Sequence, residues 1–330
     1  MAIELIYLDR EALVSAGLLD FARAVEDVES VFKTLAAGEV VMPPKVAIEM
    51  FSDDGSPKGH FIAMPAYVKP LGVAGLKWAA GFFRNPERGL PHGLDVIVLS
   101  DPETGRPLAV MEGALVTAVR TGAVAAVGAK YLAPDGAEIA ALIGAGVVGR
   151  AAAHALRAAL PGLAELKVYD LKREKAEAVA KEVGGRVAGD LEEAVRGSDI
   201  VVTATTSHSQ FVKLSWLKRD CLCVEIGKNE LEDSVILRAD RVVVDYWEQV
   251  KSRDWVSLAR LWRHGLLPES RIEEISRIVS MGRLGSGGQR VFSPIGMACE
   301  DIVVASRLYR EAEKRGLGVR LPLWRATDWL

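Results

Sequence analysis

The stretch "ALIGAGVVGR" at residues 141–150 constrains the fold of this chain more than any other. Gly144, Gly146 and Gly149 form a G-x-G-x-x-G pattern directly after the apolar run 138–143 and directly before an Ala-rich helical stretch that begins near Val147. Glycines at these places permit a tight turn and a close approach to the free amides of a helix N-terminus, including those of Val147 and Val148, where a pyrophosphate is stabilised. Such a turn belongs to a doubly wound, Rossmann-type parallel sheet, and the surrounding grammar agrees. From residue 137 onward, apolar runs ("AEIAALIGA", "ELKVYD", "DIVVTAT", "CLCVEIG", "ADRVVVD") alternate with helical patterns, as expected for strands buried on both faces.

Asp170 ends the second of these runs, about 20 residues after the glycines, where an acid hydrogen-bonds the adenosine ribose. NAD is therefore favoured over NADP, although Lys172 and Arg173 stand close enough to accommodate a 2′-phosphate. Thr203, Ala204 and Thr205 follow a later strand, at the end expected to hold the nicotinamide half. Gly227, ending the next strand, and Thr121 complete the expected cofactor set.

A fingerprint this late in a chain of 330 residues leaves about 140 residues for another purpose. Residues 17–37 read as an amphipathic helix. Between 59 and 111, β-like runs ("HFIAMPAYV", "VAGLKWAAGF", "LDVIVLS", "PLAVME") are punctuated by Pro and Gly, predicting an antiparallel or mixed sheet, and 113–133 reads as a buried helix. A last long helix in "PIGMACEDIVVASRLYREAEKRG" is expected to return to the first domain. The predicted division is an α+β substrate-binding domain of residues 1–125 and 300–330, and a dinucleotide domain of 126–299. "GRLGSGGQR" (282–290) reads as a flexible linker.

The composition is that of an ordinary globular protein, with 26% charged residues and a formal net charge of −3, which argues against a nucleic-acid partner. Neither a signal peptide nor a membrane span is legible. Cys221, Cys223 and Cys299 match no zinc or redox spacing and read as small buried residues, so a reduced, cytoplasmic protein is expected. None of the five histidines has metal-ligand spacing, and no metal is expected; His208, in "TTSHSQ", reads as a loop residue.

Three cations stand in apolar or turn-rich sequence before the fingerprint: Lys45 after two prolines, Lys77 in "GLKWAAGF" and Arg120 in "TAVRTGA". A cation in such surroundings is costly to desolvate unless it meets an anion. A substrate carboxylate would serve, and so would a structural ion pair.

"MPPK", "HFIAMPAYV", "GLKW", "NPERGLPHGLDVIVLSDPETGRPLAVMEGALVTAVRTGAVAAVGAKYLA", "IGAGVVGRAAAHAL" and "FSPIGMACEDIVVA" together resemble the ornithine cyclodeaminase/mu-crystallin family over nearly the whole chain. That resemblance implies Lys77 beside the reacting Cα, Arg120 as the clamp on the substrate carboxylate, and Met64 at the pocket wall. Lys45 stands where the family usually carries arginine, a point charge in place of a bidentate fork. In "CVEIGKNELED" the loop is several residues short and lacks the aspartate that cyclodeaminases place after the glycine, which counts against cyclodeamination; Glu230 matches a structural glutamate of that loop, and Glu225 is a weaker candidate acid. Trp247 reads as a core aromatic rather than a pocket residue.

The expected activity is hydride transfer between the Cα of an amino or imino acid and a nicotinamide, with Lys77 and Arg120 catalytic and Lys45, Met64, Lys77 and Arg120 binding substrate. An ornithine cyclodeaminase-type ammonia lyase and a mu-crystallin-like binding protein are the alternatives. A homodimer built on the N-terminal sheet is implied as well.

Overall fold

The computed structural model describes residues 3–207, 209–253 and 256–325; His208 lies outside them. The chain forms two compact units. The first takes the described parts of 1–20, 37–120 and 297–330, and the second takes 21–36 and 121–296.

The first unit is an eight-stranded mixed sheet in the order Val319–Trp324, Ile3–Leu8, Pro107–Glu112, Gly93–Ser100, Val73–Phe82, Pro57–Val68 and Val40–Val41, with Val46–Phe51 also paired to Pro57–Val68. Only Ile3–Leu8 and Pro107–Glu112 run parallel; the other pairs are antiparallel. The four punctuated runs between 59 and 111 are all strands of this sheet. Side chains alternate between its faces, so registered neighbours share one. Met64, Lys77, Ile97 and Met111 lie in one such row, every one of them buried. The long helix Ala298–Arg315 packs over the three strands Pro57–Val68, Val73–Phe82 and Gly93–Ser100. Val46, Ala63, Trp78 and Val96 form the adjacent row on the opposite face, which is largely open.

The second unit is an eight-stranded, wholly parallel sheet in the order Arg186–Val187, Glu165–Tyr169, Ile139–Ile143, Ile200–Thr203, Cys221–Glu225, Gln289–Phe292, Arg241–Val244 and Ile272–Glu274. This is the doubly wound fold expected from the sequence. Its direction of winding reverses between Ile139–Ile143 and Ile200–Thr203, and open α/β sheets bind ligands at the carboxyl ends of strands at such a switch point.

Two sequence-based expectations are corrected here. The helix Phe21–Ala36, read with the first domain, belongs to the second unit. Its stripe of Ala24, Val25, Val28, Val31 and Phe32 is buried against the helices Val147–Ala159 and Ile275–Met281, and Glu29 accepts hydrogen bonds from Lys130 and Tyr131 at 2.5 and 2.9 Å. An amphipathic pattern specifies that a face is buried, not which element buries it. The second correction is the "linker" 282–290. Arg283 and Ser286 are hydrogen-bonded to Asp135, Gly287 donates its N–H to Asp220, and buried Arg290 donates to the Leu132 carbonyl at 2.6 Å. The glycines permit the turns that lead into a central strand, Gln289–Phe292.

Candidate active site

In the first unit, four ionised side chains lie buried together. Lys77 Nζ sits 3.0 and 2.9 Å from the two carboxylate oxygens of Asp301, and Arg120 donates from Nε to Asp301 Oδ1 and from Nη1 to Glu300 Oε2, each at 2.8 Å. Lys77 and Arg120 are 2% and 5% exposed, and both acids are fully buried. Three elements supply them: the strand Val73–Phe82, the helix Ala114–Leu132 and the first turn of Ala298–Arg315. Glu300 also accepts the Met297 N–H at 3.0 Å, a carboxylate closing a helix N-terminus. The anion that the sequence left open for Lys77 and Arg120 is thus intramolecular.

Electrostatics within the cluster follow from burial and charge. Burial, together with the Arg120 charge, pushes Lys77 below the ordinary lysine value against the pull of Asp301 and Asp95. Burial also opposes the charged form of Arg120, yet Asp301 and Glu300 outweigh it and hold that group above its usual value. Asp301 is likewise opposed by burial and held below the usual carboxylate range by Arg120 and Lys77. Two positive and two negative charges leave the cluster neutral. Arg120 has five N–H donors and these carboxylates engage two nitrogens, which leaves donors for a third acid.

Met64 lies directly across the strand pair from Lys77 and is buried. Lys45 is half-buried and immediately precedes Val46, which pairs with Ala63, so extending that ladder by one residue sets Lys45 opposite Met64. All four candidate substrate residues therefore belong to the first unit. Glu300, Asp301, Thr117 and Asp95 escaped the sequence reading. The "CED" at the helix start carried a signal, since two acids beside buried apolar residues need cations just as Lys77 and Arg120 need anions.

The second unit carries the glycine cradle at the end of the central strand Ile139–Ile143. Gly144 has φ +96°, and a Cβ there would lie 2.5 Å from the Ala204 carbonyl oxygen. A Cβ on Gly149 would lie 1.8 Å from the Gly144 carbonyl oxygen. Gly146 differs: it caps the helix Val147–Ala159, and a Cβ built on it meets nothing within 4 Å. Open space above a helix N-terminus whose first turn holds no acid fits a pyrophosphate. Val147 is exposed and Val148 half-buried. Asp170 accepts the N–H groups of Ala145 and Lys172 at 2.7 and 2.8 Å, which fixes its carboxylate and leaves lone pairs for ribose hydroxyls. Lys172 and Arg173 are exposed, Arg173 pairing with Glu177 at 2.9 Å. Thr121 is half-buried on its helix.

Thr203, Ala204, Thr205 and Gly227 gather at the carboxyl ends of two neighbouring strands of this unit, braced by buried Glu230, which accepts N–H bonds from Thr205 and Gly227 at 2.8 and 2.9 Å. The short loop after Glu225 turns at Lys228, a non-glycine residue at φ +77°. Glu225 accepts the Glu230 and Leu231 amides and the Ser293 hydroxyl; burial and the Glu230 charge nevertheless push it up to about 7. Both glutamates therefore tie strand-end loops together. Trp247 is a core residue, edge-on to Trp262 at 5.7 Å with its indole N–H on Glu269. All three cysteines are free and buried. Among the described residues no His, Cys, Asp and Glu group is arranged to hold a metal, and no helix is long and apolar enough to cross a membrane.

Known proteins share this architecture along the whole chain. An alanine dehydrogenase of Archaeoglobus fulgidus is 32% identical over 94% of this chain and 96% of its own. The solved structure of an archaeal alanine dehydrogenase dimer with bound NAD superposes with a TM-score of 0.88 at 30% identity, covering 98% of this chain and 100% of the other. That of Thermococcus litoralis Δ1-pyrroline-2-carboxylate reductase in complex with NADH and L-proline gives 0.84 at 28% identity, covering 96% and 99%. The model of the ornithine cyclodeaminase/mu-crystallin family matches residues 11–316, and the chain belongs to that family.

Proposed function

We propose that this protein is an NAD-dependent oxidoreductase acting on the carbon–nitrogen bond of a small amino acid or cyclic imino acid. The observation that carries the proposal is the neutral, buried cluster of Lys77, Arg120, Glu300 and Asp301 in a chain that also holds an open glycine cradle. A neutral cluster accepts a zwitterion without leaving a charge uncompensated, and an amino acid is a zwitterion. Arg120 binds the carboxylate with its remaining donors, Lys45 supports it, Met64 bounds the side chain, and Lys77 exchanges a proton with the substrate nitrogen. A lysine lowered by burial is suited to that exchange. Gly144, Gly146, Gly149 and the Val147 and Val148 amides would hold the pyrophosphate, Asp170 the ribose, and Thr203, Ala204, Thr205, Gly227 and Thr121 the nicotinamide half. When bound, the nicotinamide supplies the hydride acceptor or donor. Related proteins that carry the alanine dehydrogenase and pyrroline-2-carboxylate reductase names support this substrate class.

The working unit we propose is a homodimer. Val46, Ile48, Trp78, Leu94 and Val96 are 64, 50, 38, 47 and 42% exposed, and the strand register places them on one face of the first unit's sheet, opposite Lys77. Contiguous exposed apolar surface of this kind marks an interaction site. Buried free thiols suit a reducing, cytoplasmic setting.

The test is turnover of the intact protein with NAD and L-alanine or L-proline, and with NADH, pyruvate and ammonia. Net NADH change that disappears in Lys77→Ala is expected; ammonia released from ornithine without NADH change would establish the cyclodeaminase alternative.

A further inference from the structure

We infer that Thr117 and Asp95 form a proton wire between Lys77 and solvent. The inference rests on the reading of Lys77 as the group that exchanges a proton with substrate, and adds to it the route by which that proton leaves.

Lys77 Nζ donates to Thr117 Oγ1 at 3.2 Å, and Thr117 Oγ1 in turn donates to Asp95 Oδ2 at 2.7 Å. A hydroxyl that accepts on one side and donates on the other passes a proton by exchanging partners, with no movement of heavy atoms. The elements place these groups with little freedom. Lys77 pairs with Ile97 across the sheet, so Asp95, two residues along the same strand, projects from the same face. Thr117 lies one helical turn before Arg120, so the helix that carries the guanidinium also carries the hydroxyl. Asp95 is fixed further by the Ala80 N–H at 3.3 Å, and its own backbone carbonyl accepts the Gly113 N–H at 2.8 Å beside the start of that helix.

The charges facing Lys77 decide which acid takes the proton. Asp301 lies against it, but Arg120 holds the same carboxylate, and Glu300 completes the pair on the far side of the guanidinium. A carboxylate neutralised by two cations is a poor proton acceptor, and Asp301 is fully buried. Asp95 is half-buried, at the accessible end. The step balances as follows. The Lys77 ammonium gives one proton to the Thr117 oxygen as the Thr117 hydroxyl proton passes to Asp95, and the Asp95 carboxylic acid releases it to water; the neutral Lys77 so formed takes a proton from the substrate ammonium and is an ammonium again. Imino-acid reduction runs the same wire inward.

The experiment measures kcat, KM, the pH profile and the solvent deuterium isotope effect of the intact protein with NAD and L-alanine or L-proline, for wild type, Lys77→Ala, Thr117→Val, Thr117→Ser and Asp95→Asn. Expected are a fall in kcat of at least about tenfold in Thr117→Val and Asp95→Asn with KM changed far less, an altered pH profile and isotope effect, and recovery of most of the rate in Thr117→Ser. Should Thr117→Val fail to fold, as judged by circular dichroism, Asp95→Asn carries the same prediction. Wild-type kcat and pH profile in Thr117→Val or Asp95→Asn beside an inactive Lys77→Ala would overturn the wire alone. A loss confined to KM, or one that serine does not restore, would assign these residues a structural role and overturn it as well. Full activity in Lys77→Ala would remove the reading of Lys77 and the wire with it.

Discussion

Asp301 is shared by two buried cations, so its removal exposes both at once. Breaking one partner of a buried ion pair costs about 3–5 kcal/mol, because the remaining charge stays desolvated. Asp301→Asn, which keeps size and hydrogen-bonding capacity but not charge, is therefore expected to lower unfolding stability by roughly that amount in urea titration. A change under about 1 kcal/mol would mean that the cations find other anions. The glycines of the cradle divide in the same way. Ala at position 149 has no space, with a carbonyl oxygen 1.8 Å away, whereas Ala at 146 has open space and an ordinary φ of −73°. Gly146→Ala is thus expected to melt within a few degrees of wild type yet bind NADH at least about tenfold more weakly, read by fluorescence titration. Equal affinity would place the pyrophosphate elsewhere. The sequence made the cations visible because lysine and arginine are conspicuous in apolar runs. Their partners were hidden because Asp301 and Glu300 sit at a helix start, where acids occur for capping alone.

At the scale of elements, strong periodicity was legible and partnership was not. The punctuated strands between 59 and 111, the helix Ala114–Leu132 and the alternation after 137 all form as their patterns require. The strands Ile3–Leu8 and Val319–Trp324 went unread; the second, at the edge of the sheet, is exposed along its length and has no buried face to pattern. Gln289–Phe292 went unread because glycines before a strand resemble a linker until their hydrogen bonds are seen. The strand-end loops of the second unit have a pH signature. Glu225 has its carboxyl raised from 4.5 to about 7, so the native state holds a proton that the unfolded chain releases between those values. Stability from this group is present at low pH and is lost as pH rises through about 7, by about 3 kcal/mol in all. Unfolding midpoints of wild type are expected to fall from pH 5 to pH 8 more steeply than those of Glu225→Gln, whose amide carries no charge; parallel curves would contradict the assignment.

For the whole molecule, the two faces of the first unit's sheet have separate tasks. One buries the charged cluster beneath the helix Ala298–Arg315, and the other presents Val46, Ile48, Trp78, Leu94 and Val96 outward. If that apolar face joins two protomers, Trp78→Glu yields a monomer by light scattering at micromolar concentration while wild type gives a dimer, since a charge cannot be desolvated at such an interface without a partner. A monomeric wild type would remove the proposal. The family and both folds were legible from sequence, because the glycine fingerprint and the motifs around Lys77 and Arg120 stand in fixed order. Substrate size was not, because the candidate substrate residues Lys45, Met64, Lys77 and Arg120 come from separated segments of the chain. The most direct test of the central claim is the NADH absorbance change of wild type and Lys77→Ala, with amino acids in the oxidative direction and 2-oxo acids with ammonia or cyclic imines in the reductive one. Net change in wild type that is lost in the variant is predicted. Ammonia release from a diamino acid with no net NADH change, or turnover that survives the loss of Lys77, would contradict the account.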